Sequence, residues 1–221
     1  MVRAPPGTTA WRSAAGDARA RLDSGRLRTA SNQGIGSGAS GPAGVVIVFR
    51  HSALGYSFFW EAPEQPAARW HRKSEGPVQY LANTPDGAWA EFLRHEGITE
   101  EIDLDGIKRT LWAIDIAEEE LAVPRLPETT LHGGQDSYED CQNEAASLRT
   151  AGHTGLSTTS AALMSGAAGG WQTREGLRPG PESDGQVYVL FGSRPEAVAW
   201  KVVDEGCPPS EILAVVRHLE I

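Results

Sequence analysis

The sequence predicts an α+β fold, in which strands and helices do not alternate in a regular pattern. Short runs of β-branched and aromatic residues, of the kind that form strands, recur along the chain. Two longer segments carry the start and stop signals of helices. The connections between these elements are long and irregular, and the sequence contains no internal repeat. These observations favour an α+β domain over a regular βαβ protein.

Composition and charge limit the classes of function. The 221 residues suit one domain, alone or with a tail. A net charge of -9 argues against broad binding of nucleic acid or anionic lipid, so an anionic ligand must be held locally. Two cysteines, Cys141 and Cys207, suit a reducing compartment, although they leave a single disulfide open. Because the chain has no apolar run of about 20 residues and no signal-type amino terminus, we expect a soluble cytoplasmic protein.

Residues 1–44 are predicted to be a disordered basic tail or linker, followed by one domain over residues 45–221. Small and polar residues dominate the first segment, so it cannot bury enough apolar surface to offset the entropy of ordering. The run GIGSGASG at residues 34–41 superficially resembles a glycine loop that binds dinucleotides. That motif follows a strand and precedes a helix, whereas here the strand comes after it. The run is therefore interpreted as linker.

The first half of the domain is predicted to hold two strands and a helix. The run VVIVFR is apolar and β-branched, which indicates a buried strand that begins at residue 45 and ends in Arg50. A second short strand is expected over residues 77–82. Thr84 is a helix N-cap residue with proline at the next position, and Gly97 is a stop signal. The segment between them predicts a helix of about a dozen residues.

The second half is predicted to hold three strands, one helix and one ambiguous segment. The strands are RTLWAIDIA, QVYVLFG and AWKVVD, at residues 109–117, 186–192 and 199–204. Residues 137–150 are predicted to form a helix closed by Gly152. Residues 211–219 fit either a helix or a strand, and their β-branched residues favour the strand. The stretch 163–185 is rich in Gly, Pro and small residues, which predicts a mobile loop.

The helix after Thr84 carries a carboxylate, Glu91, whose role the periodicity does not settle. The apolar face of this helix consists of Ala88, Trp89, Phe92 and Leu93. Glu91 lies about 130° from the centre of that face, which favours a solvated side chain.

Three neighbouring features indicate a ligand site instead. Tyr80 offers a ring face to a planar ligand, and RWHRK at residues 69–73 is a basic cluster in an acidic protein. Arg50 needs an anionic partner or water at the end of a buried strand. The alternatives are an Arg50 that snorkels to the surface, a Tyr80 in the core with its hydroxyl satisfied, and a solvated basic run.

Taken in order, these residues resemble the RES domain family, which is named for an Arg, a Glu and a Ser. VFRHSALGYSFFW is similar to the opening strand of that family, and GLSTTSAAL to its serine motif. The family usually has a glycine pair and a proline where this chain has Ala67, Ala68 and Thr159. The resemblance spans roughly residues 45–219 and implies an ADP-ribosyltransferase-like split β-sheet core with flanking helices. The matching residues are Arg50, Arg69, Trp70, Gly76, Tyr80, Glu91 and Ser160.

The resemblance also implies an activity: a toxin that cleaves the nicotinamide–ribose bond of NAD by hydrolysis or phosphorolysis, which depletes NAD and arrests growth. In this interpretation Glu91 stabilises positive charge on the ribose, and Arg50, supported by Arg69, neutralises the pyrophosphate. Tyr80 stacks on nicotinamide. Ser160 bonds ribose or phosphate and is not a nucleophile, because no histidine and acid pattern marks a serine triad. The interpretation requires Arg50 and Glu91 to face one cleft.

The expected partners follow from the same resemblance. NAD is a substrate rather than a cofactor, and the partner is a helix-turn-helix antitoxin of the Xre type. The dispersed histidines lack the spacing of a metal site, so no metal is expected. No direct contact with nucleic acid or membrane is expected, and a homodimer is left open. Two other functions remain: ADP-ribosylation of a cellular protein, and a silent binding module, to which the substitutions at Ala67, Ala68 and Thr159 point.

Overall fold

The computed structural model describes residues 45–117 and 121–219. The predicted tail at residues 1–44, with its glycine run, lies outside this range, and so do Glu118 to Glu120. The strands are β1 (Val45–Ala53), β2 (Val78–Ala82), β3 (Arg109–Ala117), β4 (Gly155–Thr159), β5 (Trp171–Gln172), β6 (Arg178–Pro179), β7 (Gln186–Phe191) and β8 (Val198–Gly206). The helices are α1 (Pro85–Glu96), α2 (Glu128–His132) and α3 (Tyr138–Thr150), with 3-10 turns at Glu101–Leu104, Gln135–Ser137 and Ser210–Val215.

Six strands form one antiparallel sheet in the order β4-β7-β2-β1-β3-β8. Strand β1 pairs with β3 along its whole length of 9 residues. It meets β2 only where Phe49 lies opposite Ala82. The sheet therefore consists of two halves joined at one residue pair. The predicted α+β class is confirmed, and the narrow joint agrees with a split sheet.

Helix α1 begins and ends where the sequence predicts. The Thr84 hydroxyl accepts a hydrogen bond from the Gly87 N–H at 3.0 Å, which caps the first turn. Pro85 occupies the first helical position, where no N–H is needed. Gly97 ends the helix with φ 67°, a conformation that glycine adopts without strain.

The helices cover one face of the sheet, which we call the helix face. Helix α1 packs there through Ala88, which contacts Phe49 and Ala82. Helix α3 packs through Cys141 and Ala145 against side chains of β2, β4 and β7. The opposite face, which we call the loop face, holds Val48 and Ile114 with the loop residues Phe58 and Phe59. Since side chains alternate along a strand, neighbouring residues of β1 point to different faces.

Two segments differ from the predictions. Residues 210–215 form a 3-10 turn, so the strand expected over residues 211–219 is wrong. Ile212 lies within this turn and Val216 directly after it, and both pack against α1. Within residues 211–219, Val216 alone forms a strand-like bridge, and its partner is Leu163. Within the predicted loop 163–185, β5 and β6 form a short hairpin.

His51 makes the stability of this domain dependent on pH. Its ring stacks on Trp89 with centroids 5.3 Å apart, and its Nδ1 accepts the Arg109 Nε–H at 2.7 Å. Burial, and next the positive charge of Arg109, hold the pKa of His51 well below its usual value. The folded protein therefore keeps His51 neutral, whereas the unfolded chain binds a proton below about pH 6.5. Stability is thus present above that pH and is lost as the pH falls.

We expect His51→Gln, which cannot be protonated, to reduce this loss. The free energy of unfolding in urea, measured at pH 7.5 and pH 5.5, should differ less for the variant than for the parent. The dependence should not vanish, because the pKa values of His71 and His132 are also lowered, chiefly by burial. The exposed His153 provides the control, and His153→Gln should leave the difference unchanged. An equal pH dependence in the parent and His51→Gln would contradict this account.

Candidate active site

Glu91 and Ser160 meet on the helix face of the sheet. Glu91 lies on α1 and Ser160 follows β4, and the Ser160 hydroxyl donates to Glu91 Oε1 at 2.7 Å. The hydroxyl oxygen accepts the N–H groups of Ala162 and Leu163 at 3.1 and 2.9 Å. The serine, 3 % exposed, is therefore held on all sides and fixes the carboxylate. Because its oxygen already accepts two backbone N–H groups, it has no lone pair left with which to attack a substrate. Glu91 is half-buried rather than solvated, contrary to what helix periodicity favours.

Two buried arginines bind together the loops around this pair. Arg69 donates to the carbonyls of Thr130 and Gly133 at 3.2 and 2.6 Å, and to the Ser137 hydroxyl at 3.0 Å. It thus fixes the segment after α2, and its terminal nitrogens are occupied by protein oxygens. Since both terminal nitrogens donate to the protein itself, Arg69 builds the wall of the site.

Arg94 lies one turn after Glu91 on α1 and, like Arg69, holds backbone segments around the site. The sequence did not predict this role. Arg94 donates to four backbone carbonyls, at distances from 2.5 to 3.1 Å. These carbonyls belong to Ala161, Arg217, His132 and Gly133. Burial, and next the positive charge of Arg69, lower the pKa of Arg94, while the negative charge of Glu91 opposes the shift. The sequence does carry one signal for Arg94: residues three apart on a helix are neighbours, so Arg94 was bound to lie beside Glu91.

A third arginine that the sequence did not predict, Arg217, lies beside the Ser160–Glu91 pair. Its Nη1 donates to the carbonyls of Ser160 and Ala161 at 3.3 and 3.1 Å. His132 is close by, with Nε2 3.1 Å from Thr159 Oγ1. Burial, and then the positive charge of Arg217, lower the pKa of His132. Three guanidinium groups thus lie near the Ser160–Glu91 pair, and the charges of Glu91, Arg69 and Arg217 all act on Arg94.

Tyr80 points to the helix face and packs against the cluster that includes Val78 and Val189. Its hydroxyl accepts the Trp70 N–H at 3.0 Å and lies 2.9 Å from His71 Nδ1, which donates or accepts according to its tautomer. Burial raises the pKa of Tyr80, so the phenol stays protonated. The hydroxyl is satisfied within the protein, as expected for a core tyrosine. Its contact with a nicotinamide ring stays a prediction.

Arg50 lies on the other face of the sheet, which corrects the expectation that it shares a cleft with Glu91. The preceding residue, Phe49, packs against Ala88 of α1, and alternation then directs Arg50 to the loop face. There its Nη1 donates to Gln79 Oε1 at 2.5 Å. Burial, and next the charge of Arg109, lower the pKa of Arg50 to about 10. A ligand-binding role for Arg50 stays a prediction.

The positions that depart from the resemblance are built into the wall of the site. Ala68 pairs with His71 through two backbone hydrogen bonds, and its carbonyl also accepts the Gln142 side-chain amide at 2.9 Å. Thr159 contacts His132. These contacts form the wall without the glycine and proline that the family usually has there.

Other kinds of site are scarce in the described residues. Across residues 45–117 and 121–219, no group of three or more His, Cys, Asp or Glu side chains is placed to hold a metal ion. Cys141 is a buried thiol and Cys207 an exposed one, and neither forms a disulfide in this part of the chain. Each helix in these ranges is too short or too polar to cross a bilayer.

Comparison with known proteins identifies one family. The family model described as RES domain matches residues 47–208, a range that includes Glu91 and Ser160 but ends before Arg217. No curated protein matches the chain. Among solved structures, the chain is similar to one from the M. tuberculosis MbcT-MbcA toxin-antitoxin complex, with 14% identity and a TM-score of 0.46. That alignment covers 74% of this chain and 87% of the other.

Proposed function

The chain belongs to the RES domain family, and from this premise we propose that it is a toxin that cleaves the nicotinamide–ribose bond of NAD. The observation that carries the proposal is the contact between Ser160 and Glu91. It presents a fixed carboxylate beside cationic side chains, on the face of the sheet that the helices cover. A dinucleotide with an anionic pyrophosphate and a ribose that becomes cationic matches such an arrangement.

The reaction breaks the bond between ribose C1′ and the nicotinamide nitrogen. The electron pair leaves with nicotinamide, and C1′ becomes an oxocarbenium-like cation, as in glycoside hydrolysis. Glu91 stabilises this cation with its negative charge. Its Oε1 is held by Ser160, and its Oε2 has no hydrogen-bond partner among the described residues. Water or phosphate then adds to C1′, and a proton of attacking water passes to Glu91 or to solvent.

Tyr80 and Arg69 support this role from the wall of the site. The Trp70 N–H fixes the Tyr80 hydroxyl, and so the orientation of the ring that would stack on nicotinamide. Arg69 holds the segment after α2 and adds positive charge near the pyrophosphate. Because Arg50 lies on the loop face, the proposal no longer requires Arg50 and Glu91 to face one cleft, and it rests on the contact between Ser160 and Glu91.

A toxin that consumes NAD must be silenced in the cell that makes it. We therefore include in the proposal a helix-turn-helix antitoxin of the Xre type and a cytoplasmic site of action. Co-expression with the neighbouring gene product, followed by size-exclusion chromatography, tests this part. Elution of the two proteins as one complex supports the pair, and separate elution argues against it.

Incubation of the purified protein with NAD tests the proposed activity. We expect release of free nicotinamide without any acceptor protein. Faster release in the presence of phosphate indicates phosphorolysis, and equal release indicates hydrolysis. Release only with a cell lysate, accompanied by labelled protein, would mean ADP-ribosyl transfer instead. No release under either condition would contradict enzymatic function and leave a binding module.

A further inference from the structure

The carboxyl-terminal segment, residues 209–219, lies outside the family match yet contacts the residues that follow Ser160. Val216 forms a strand-like bridge with Leu163, and the Arg217 N–H donates to the Ala162 carbonyl at 2.6 Å. Ile212 and Val216 are buried against α1, at 4% and 1% exposure. The segment is therefore held beside the site by its backbone and its apolar side chains. This anchoring does not depend on the Arg217 side chain.

Across the described ranges, the guanidinium of Arg217 has more donors without a protein partner than those of Arg69 and Arg94. Arg69 and Arg94 are buried, at 9% and 6% exposure, and protein oxygens occupy their terminal nitrogens. Arg217 is only half-buried, and its contacts with Ser160 and Ala161 use Nη1 alone. Within the described part of the chain, its Nη2 and Nε have no hydrogen-bond partner, and no carboxylate forms an ion pair with it.

The contacts of Arg217 also fix where its free donors lie. Nη1 is bound to the carbonyl of Ser160, the residue whose hydroxyl holds Glu91. Burial lowers the pKa of His132, and the positive charge of Arg217 lowers it further, so the guanidinium lies close to that imidazole. An anion bound by Arg217 would therefore sit next to the fixed carboxylate without replacing any protein contact of the guanidinium.

We propose that Arg217 binds a phosphate of the dinucleotide substrate. The inference rests on the proposed function, because that function supplies a pyrophosphate attached to the ribose that Glu91 acts on. A guanidinium presents two parallel N–H donors to phosphate oxygens, which a lysine cannot reproduce. The sequence resemblance gives this task to Arg50, but Arg50 lies on the loop face, bonded to Gln79. Arg217 is on the helix face with Glu91.

Nicotinamide release from two substrates tests the proposal. NAD contains the pyrophosphate, and nicotinamide riboside contains the same scissile bond without any phosphate. For Arg217→Ala we expect kcat/KM to fall about tenfold to a hundredfold with NAD, the range of a charge-assisted hydrogen bond. With nicotinamide riboside it should stay within twofold of the parent (about 0.4 kcal/mol). Arg217→Lys should lie between the parent and Arg217→Ala with NAD.

Lys201→Ala is the control, because it removes one positive charge from β8, at the edge of the sheet farthest from β4. It should leave both kcat/KM values unchanged. Equal losses with both substrates in Arg217→Ala would mean a structural role and overturn the proposal. An unchanged kcat/KM of Arg217→Ala with NAD would also overturn it. So would a loss of kcat/KM that is selective for NAD in Arg50→Lys but absent in Arg217→Ala. If the parent releases no nicotinamide, the proposed function fails and this inference fails with it.

Discussion

Glu91→Gln is expected to reduce nicotinamide release by about a hundredfold to a thousandfold, the usual effect of removing one electrostatic contact to a transition state. The amide keeps the shape of the carboxylate, and its oxygen still accepts the Ser160 hydroxyl. Only the negative charge that stabilises the ribose cation is lost. The rate of nicotinamide release at saturating NAD measures the effect on this step.

The same substitution elsewhere on α1 separates this effect from a general change in charge. Glu96 is exposed in the last turn of α1, so Glu96→Gln should keep the parental rate. Both variants should unfold in urea at the parental midpoint, because neither removes buried apolar surface or a helix cap. A Glu91→Gln variant that is as active as the parent would eliminate the assigned role.

Local signals predict much of the fold because they act within a few residues. The cap at Thr84, the proline after it and the stop at Gly97 fix α1 without help from the rest of the chain. Strand β3 matches its predicted bounds for a similar reason, since nine residues of alternating character form it. Residues 210–215 depend instead on packing against α1, which no local pattern reveals.

The site is harder to predict because its contacts are distant in sequence. Helix periodicity predicts a solvated Glu91, because it carries no information about Ser160, the distant residue that holds the carboxylate. Ser160 directly follows β4, a strand that the sequence did not predict. The order of the family motifs found both residues. The order of the motifs does not reveal which face of β1 the helices cover. It therefore predicted that Arg50 faces Glu91, whereas Arg50 bonds Gln79 on the loop face. Arg217 lies beyond the range that the family model matches.

Arg94→Met is expected to lower the free energy of unfolding by about 3 kcal/mol, one of the larger effects of a single substitution. Methionine fills a similar volume but donates no hydrogen bond. The carbonyls of Arg217 and His132 then lose the guanidinium they share. Those of Ala161 and Gly133 keep a second donor, from Arg217 and Arg69. Urea unfolding at pH 7.5 measures the loss.

The exposed Arg178 supplies the matched control, because it makes one surface contact, 3.5 Å from Glu175. Arg178→Met should stay within about 0.5 kcal/mol of the parent. A similarly small effect for Arg94→Met would mean that the loops around Ser160 are held by their other contacts. A large loss would show that one side chain on α1 binds the three loops together. The helix that places the carboxylate would then also hold Ser160 against it, which couples the stability of the domain to the geometry of its site.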